Sequence, residues 1–529
     1  MRITNKIMRN NSLYNLNQNK VLEDKLTNQM TNQSKIARPS DDPVVAIRAL
    51  RLRSNVTYVT QYYEKNAEDA DRWLTVTEDA LNTLDEILKN LYENAGSAAN
   101  KDLTADDLEI LLTQMKSLTK EFYSSGNVDY AGRFIFSGYR TDTTITFSAE
   151  DIAEMIEHPT SYNITQSFGY ADIDSFNFTD FSTLSDPNIA GDGLRGDGTS
   201  YEQDITNTRI YRIRLAYDGT DSGSTPVFKD PVTGLPLDTQ PTIREFADAE
   251  EAYRAISDPA FAATLDPAFN PKTDIAYIPS TGELVFSEDY YKTLNEGANF
   301  TISYDKSEWQ EDDINPVHYF ECTETKKLGE DENGDDITKK TIYNSEKTMT
   351  LPQDIYYDVG FNQKIQVNTV ASDVFTHNVQ RDMDDFQRCL SQLRGIETKI
   401  SDIEKKRAEY SEDSEEYKNL TMQLEAAEKA QSYIRENIHT QFENQITKYQ
   451  DYMNDNNIAI TNNATRRSRL DLISTRLMNQ QATFKELQTD NESIDVTQVA
   501  VELSSSELTY EAALLATSKI MQTNLMNYI

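Results

Sequence analysis

IARPSDDPVVAIRAL, residues 36–50, sets two prolines around Ser40-Asp41-Asp42 between two helix-like runs. Paired carboxylates can carry acid–base chemistry, but adjacent side chains on a helix point in different directions, so Asp41 and Asp42 do not share one site. Punctuation is the better reading. Pro39 drives Arg38 out of the helical region, Asp42 is a favourable N-cap, and Pro43 suits the first helical position. The stretch therefore predicts a helix that ends before residue 39 and another that starts at residue 43. Arg38, Pro39, Ser40, Asp41, Asp42 and Pro43 form the elbow between them.

Downstream of the elbow, apolar positions from Val45 through Ala49, Leu52, Val56, Val59 and on to Leu91 step alternately by four and three. That is a heptad seam, roughly 70 Å long at the helical rise, with Asn94-Ala95-Gly96 as its expected stop. A second helix is expected after Thr104, an N-cap, with the stripe Leu108, Leu111, Met115, Leu118 and Phe122. The texture changes after AGRFIFSG, residues 131–138. RIYRIRLAY (209–217) and IAYIPSTGELVFSEDYY (275–291) alternate as strands do, the second around a turn at Ser280-Thr281-Gly282. EFADAEEAYRAI (245–256) reads as a helix among them. Heptads return with Phe386, Leu390, Leu393, Ile400 and Ile403, break at residues 410–414, and resume from Ile438 to Leu477.

Both ends of the chain carry thin apolar stripes diluted by Asn, Gln, Ser and Thr. Ile3, Ile7, Tyr14, Val21 and Leu22 mark the first; Val499, Leu503, Tyr510, Leu514, Met521, Leu525 and Tyr528 mark the last. Helices so polar do not fold alone and are expected to pair with each other and with other copies. The expected fold is α+β, with long antiparallel coiled-coil helices from both termini around a central strand-rich insert. The expected boundaries are a terminal helix at 1–38, a first helical part at 39–147 and an insert of one or two domains at 148–372. A second helical part at 373–485 carries an extra charged hairpin near 396–431, and a final helix occupies 486–529.

Composition narrows the function. The 529 residues include 88 Asp and Glu against 51 Lys and Arg, a net charge of −37. That is the wrong sign for neutralising nucleic acid phosphates or anionic lipid. Two cysteines, Cys322 and Cys389, permit no disulfide framework or thiolate cluster. No apolar run suits a membrane-spanning helix or a cleavable signal, so export would need a dedicated route. GDGLRG (191–196) matches a dinucleotide pattern but lacks the flanking strand and helix. GEDENGDD (329–336) lacks the spacing of a calcium loop and holds the hairpin pair Asn333-Gly334. His158, His318, His377 and His439 stand apart from one another. No catalytic residue, cofactor or metal is expected, and the chain reads as structural.

Four strings together resemble the flagellin superfamily: MRITNKIMRNNSLYNL at the start, PSDDP at 39–43, NVDYAGRFIFSG at 127–138, and the tail ALLATSKIMQTNLMNYI. RLDLISTRL (469–477) and YYDVGFNQKIQVNTVASDVF (356–375) support it. Within that superfamily the chain looks most like the members at the junction of hook and filament, the alternative being the filament subunit itself. The resemblance implies a bacterial flagellar protein, secreted through the type III export apparatus and outside the cell. Its partners would be further copies in a ring, a neighbouring hook-associated protein on the hook side, flagellin on the filament side and an export chaperone. Nucleic acid and membrane insertion are not expected. Ile3, Ile7, Tyr14, Leu503, Tyr510, Leu514, Met521, Leu525 and Tyr528 would form the assembly interface, and Arg469 and Asp471 would make polar contacts between helical rods, a solvated helix face being the alternative.

Overall fold

A computed structural model describes residues 5–101, 103–182, 184, 205–231, 233–294, 297, 299–330, 336–345 and 353–522. The GDGLRG stretch and the Asn333-Gly334 pair lie outside the described residues. Two compact units share the chain. Met1–Arg72, Tyr356–Ile365 and Arg466–Ile529 make the first; Trp73–Ile355 and Gln366–Thr465 make the second.

Helix α1 spans Asn5–Asn32, α2 Pro43–Gln61, α3 Glu68–Ala98 and α4 Ala105–Ser124. Strands β1 (Asp129–Tyr130) and β2 (Arg133–Phe134) form a small hairpin. The insert then runs through α5 (Ala149–Glu157), β3 (Thr160–Gly169), β4 (Asp174–Asp180), β5 (Thr206–Arg214), β6 (Val227–Lys229) and β7 (Ile243–Glu245). It continues with α6 (Ala249–Ser257), α7 (Pro259–Leu265), β8 (Ile275–Ile278), β9 (Glu283–Phe286), α8 (Glu288–Tyr291) and β10 (Asn299–Lys306). Strands β11 (Glu321–Glu330), β12 (Asp336–Tyr343), β13 (Tyr356–Gly360) and β14 (Gln363–Gln366) precede α9 (Asn378–Arg407), α10 (Glu415–Glu492) and α11 (Val496–Gln522). The architecture is α+β, with long helices at both ends of the sequence and strands between them.

Two local features depart from the heptad reading. A π-helical turn, Tyr62–Ala67, joins α2 to α3, inserting an extra residue per turn where strict four–three stepping was expected. The β13–β14 hairpin meets this turn: the Asn66 side-chain amide donates to the Asp358 carbonyl at 2.7 Å. The expected stop at Gly96 is also displaced. Gly96 lies inside α3, which runs on to Ala98, because its helical backbone needs no left-handed residue there.

In the second unit, α3 pairs antiparallel with α10. Trp73, Leu74, Leu81, Leu84, Leu88 and Leu91 are fully or almost fully buried. Two buried asparagines one heptad apart set the register: Asn456 donates to the Leu81 carbonyl at 3.0 Å and Asn463 to the Leu74 carbonyl at 2.9 Å. The α9–α10 pair, with Ile396, Ile403, Leu420 and Ala427 buried, builds the hairpin near 396–431. The AGRFIFSG motif is structural. Ala131 and Gly132 take the positive φ values of a tight hairpin turn, Arg133 stacks 4.8 Å from the Trp73 ring centroid, and Phe136 packs on Phe375.

The insert contains two five-stranded sheets, ordered β12-β11-β3-β10-β6 and β4-β5-β9-β8-β7. All pairings are antiparallel except β7 with β8, so residues 243–245 join the sheet and the expected helix starts only at Ala249. Helix α6 covers the second sheet through Tyr253 and Ile256 on Ile210, Ile278 and Val285. At the β8–β9 turn Gly282 has φ +58°, and a side chain there would run into the Tyr217 carbonyl. This sheet docks on α9 through buried charge. Arg212 spans Glu283 (2.6 Å) and Asp385 (2.6 Å), Arg214 reaches Asp382 at 2.7 Å, and Arg388 meets Asp385 at 2.6 Å.

Candidate assembly interface

The elbow is held by its own carboxylates. Asp42 accepts from the Val44 and Val45 amides at 3.0 and 3.1 Å, capping α2 with Pro43 at its first position. Asp41 accepts from the Ala37 and Arg38 amides at 3.1 and 2.8 Å, closing the loop that leaves α1. Both acids are therefore engaged in turn geometry. Helix α1 ends at Asn32, earlier than Pro39 alone would require, because Gln33 adopts φ 54° and turns the chain. Ser34 then bridges Ser493, and the Lys35 amide donates to the Glu492 carbonyl at 2.8 Å. Arg53 of α2 ties in the same corner through a 2.5 Å ion pair with Glu492.

From this corner α1 and α11 run antiparallel against each other. The face of α1 that meets α11 is Ser12, Leu16, Asn19, Glu23, Leu26 and Met30, spaced four, three, four, three, four and all buried or half-buried. The facing row of α11 is Val499, Leu503, Ser506, Tyr510, Ala513 and Thr517. Small and polar residues fill much of this seam. It brings Leu503 and Tyr510 of the expected interface onto the intramolecular face.

Other expected residues point away from that seam. Ile7 and Tyr14 are 50% and 64% exposed, Val21 and Leu22 are exposed beside them, and Leu514 is 43% exposed. Met521 falls within α11, but its side chain, like Ile3, Leu525 and Tyr528, lies outside the described residues. A row that sequence reasoning did not single out completes the outer surface: Val501, Leu508 and Leu515, each exposed and seven residues apart on α11. Their spacing was the available signal. Arg469 and Asp471 stand exposed on α10, and none of the described hydrogen bonds or ion pairs involves them. Among the described residues no group of three His, Cys, Asp or Glu side chains is placed to hold a metal, and no described helix is long and apolar enough to cross a membrane.

The family model for the bacterial flagellin N-terminal helical region matches residues 3–141. Flagellar hook-associated protein 3 of Escherichia coli is 31% identical over 123 residues, 23% of this chain and 38% of the relative. Its counterpart in Salmonella typhimurium is 27% identical over 143 residues, 27% of this chain and 45% of the relative. The chain thus matches less than half the length of either curated relative. The solved flagellar junction protein from Legionella pneumophila is 12% identical, with 81% of this chain and 99% of that one covered at a TM-score of 0.27, too loose a superposition to extend the relationship. Residues 3–141, which hold α1, the elbow, the first helices and the AGRFIFSG hairpin, are thus the part of the chain that is similar to the bacterial flagellin N-terminal helical region.

Proposed function

We propose that this chain is a structural component of the bacterial flagellum that joins the hook to the flagellin filament, polymerising through its terminal helices. The observation that carries the reading is the double-faced pair α1–α11: each helix spends one heptad row on the other and keeps a second apolar row exposed. Such a pair gains further burial only from neighbours, at about 25 cal/mol per Å² of apolar area removed from water. The match of residues 3–141 and the names of the curated relatives direct that association to the hook–filament junction. The role is assembly rather than catalysis. The expected partners are copies of this chain in a ring, a hook-associated protein below, flagellin above, and an export chaperone that holds the C-terminal helix beforehand. The elbow at 38–43 orients α2 on the paired helices, and Arg469 and Asp471 make polar contacts between helical rods.

Deleting the gene tests this reading. The expected result is cells with bare hooks and flagellin shed into the medium. Loss of filaments with no flagellin in the medium would make the chain the filament subunit instead and overturn the junction role.

A further inference from the structure

Helix α2 presents its own unpartnered row on the face away from Ala46, Ala49 and Val59. Ile47, Arg51, Ser54 and Tyr58 follow one another by four, three and four, with Val44 and Leu50 beside them; Ile47 and Tyr58 are 55% and 59% exposed. In a chain of net charge −37, this row holds an arginine that makes none of the described ion pairs or hydrogen bonds, and neither does Arg48 one turn before it. Arg53, on another side of the helix, is already committed to Glu492. The outer row of α11, Val501, Leu508 and Leu515, is its chemical complement. It is bordered by Glu507 and Glu511, both exposed and likewise outside every described polar contact.

Resting on the polymerising role proposed above, we infer that the outer face of α2 of one copy packs on the outer face of α11 of the next, with Arg51 paired to Glu511. The spacings support it. Set antiparallel, Ile47 meets Leu515 as Arg51 meets Glu511, four residues on along each helix, and Leu508 falls beside Ser54. Both faces are exposed within one chain, so the contact joins different patches of two copies. Such a heterologous contact propagates into a ring or a helical array rather than closing on a pair. Charge complementarity also fixes which copy face is admitted, since like charges brought together at an interface are strongly disfavoured.

The test uses the full chain and three samples: Arg51→Glu alone, Glu511→Arg alone, and the two mixed in equal amounts. Association is read by sedimentation across a concentration series, with thermal melts confirming that each variant folds. Each variant alone is expected to lose at least about ten-fold in association, because each sets like charges against each other at every contact. The mixture is expected to recover most of that loss. When the two variants alternate, the acid introduced on α2 faces the base introduced on α11, and at the next contact the native Arg51 faces the native Glu511. A second measurement mixes Arg51→Cys chains with Glu511→Cys chains under mild oxidant, the native Cys322 and Cys389 being buried. Cross-linking well above an Ile110→Cys control is expected. Wild-type association with charge-reversed variants that associate equally well would overturn this contact alone. A wild-type chain that does not associate, together with cysteine variants that do not cross-link above the control, would overturn the contact and the polymerising role together.

Discussion

Glu283 is fully buried in the second unit, yet it stays ionised. Burial alone would raise its pKa, but the Arg388 and Arg212 guanidiniums overcome that and hold it at about 2. Removing one member of such a network leaves the others as uncompensated buried charge. Glu283→Ala is therefore expected to cost about 3–5 kcal/mol, read from urea unfolding of the insert. The depressed pKa sets the pH window. The contribution is complete above the unfolded glutamate value near about 4.3 and disappears as pH falls through about 2. His377 acts in a higher window. Burial, with Arg214 and Arg381 nearby, pushes its pKa down to about 3, so it is neutral in the folded chain. The unfolded chain binds a proton near about pH 6.5, and stability drains away as pH falls from there toward about 3. His377→Phe, which keeps a ring against Phe320, is expected to flatten the dependence of unfolding free energy on pH between about 6.5 and 4. An unchanged slope in chemical denaturation at stepped pH would refute it.

At the scale of elements, Asn456 and Asn463 hold α10 to α3 by donating to carbonyls that their own helix already satisfies. Their Oδ1 atoms are buried without a partner. Replacing both by leucine would orphan no backbone group, remove two buried polar atoms and add apolar contact. The double variant Asn456→Leu/Asn463→Leu is expected to gain roughly 1 kcal/mol or more in chemical denaturation while losing register specificity, the use best attested for a buried asparagine in a coiled coil. Loss of stability would show that the two amides contribute more than their desolvation costs. Helix existence was legible because apolar residues recur at heptad spacing from Val45 to Leu91 and again from Ile438 to Leu477. The elbow was legible from the cap chemistry of Asp42 and Pro43. Phase was not legible in α1. Ile7, Tyr14 and Val21 repeat every seven residues, and so does the true seam of Ser12, Asn19 and Leu26. When a seam is built of Ser, Asn and Thr, periodicity cannot say which row faces inward. The π turn at Tyr62–Ala67 was hidden for a similar reason, since its residues are ordinary helix formers. The charge cluster was out of reach because Arg212, Glu283 and Asp385 come from three distant stretches joined only by the fold.

At the scale of the whole molecule, the first unit holds α11 and the second holds the sheets and the charge cluster, so their stabilities can be separated by truncation. Removing residues 496–529 deletes the facing row of the seam and strips Leu26, Leu16 and Met30 of their partners. A helix as polar as α1, left without its packing surface, is not held by propensity alone. The truncated chain should therefore lose helical signal beyond the deleted residues, as α1 melts with α11. The buried cores around Tyr253 and Trp73 involve none of the removed residues, so the main calorimetric transition of the second unit should stay within about 2 °C of the full chain. Association should vanish in the same sample, since the exposed row of Val501, Leu508 and Leu515 goes with α11. A truncated chain that still associates would place the assembly surface outside α11. Retained helicity of α1 with lost association would mean that α1 is ordered without α11, and that the two rows of the pair act independently.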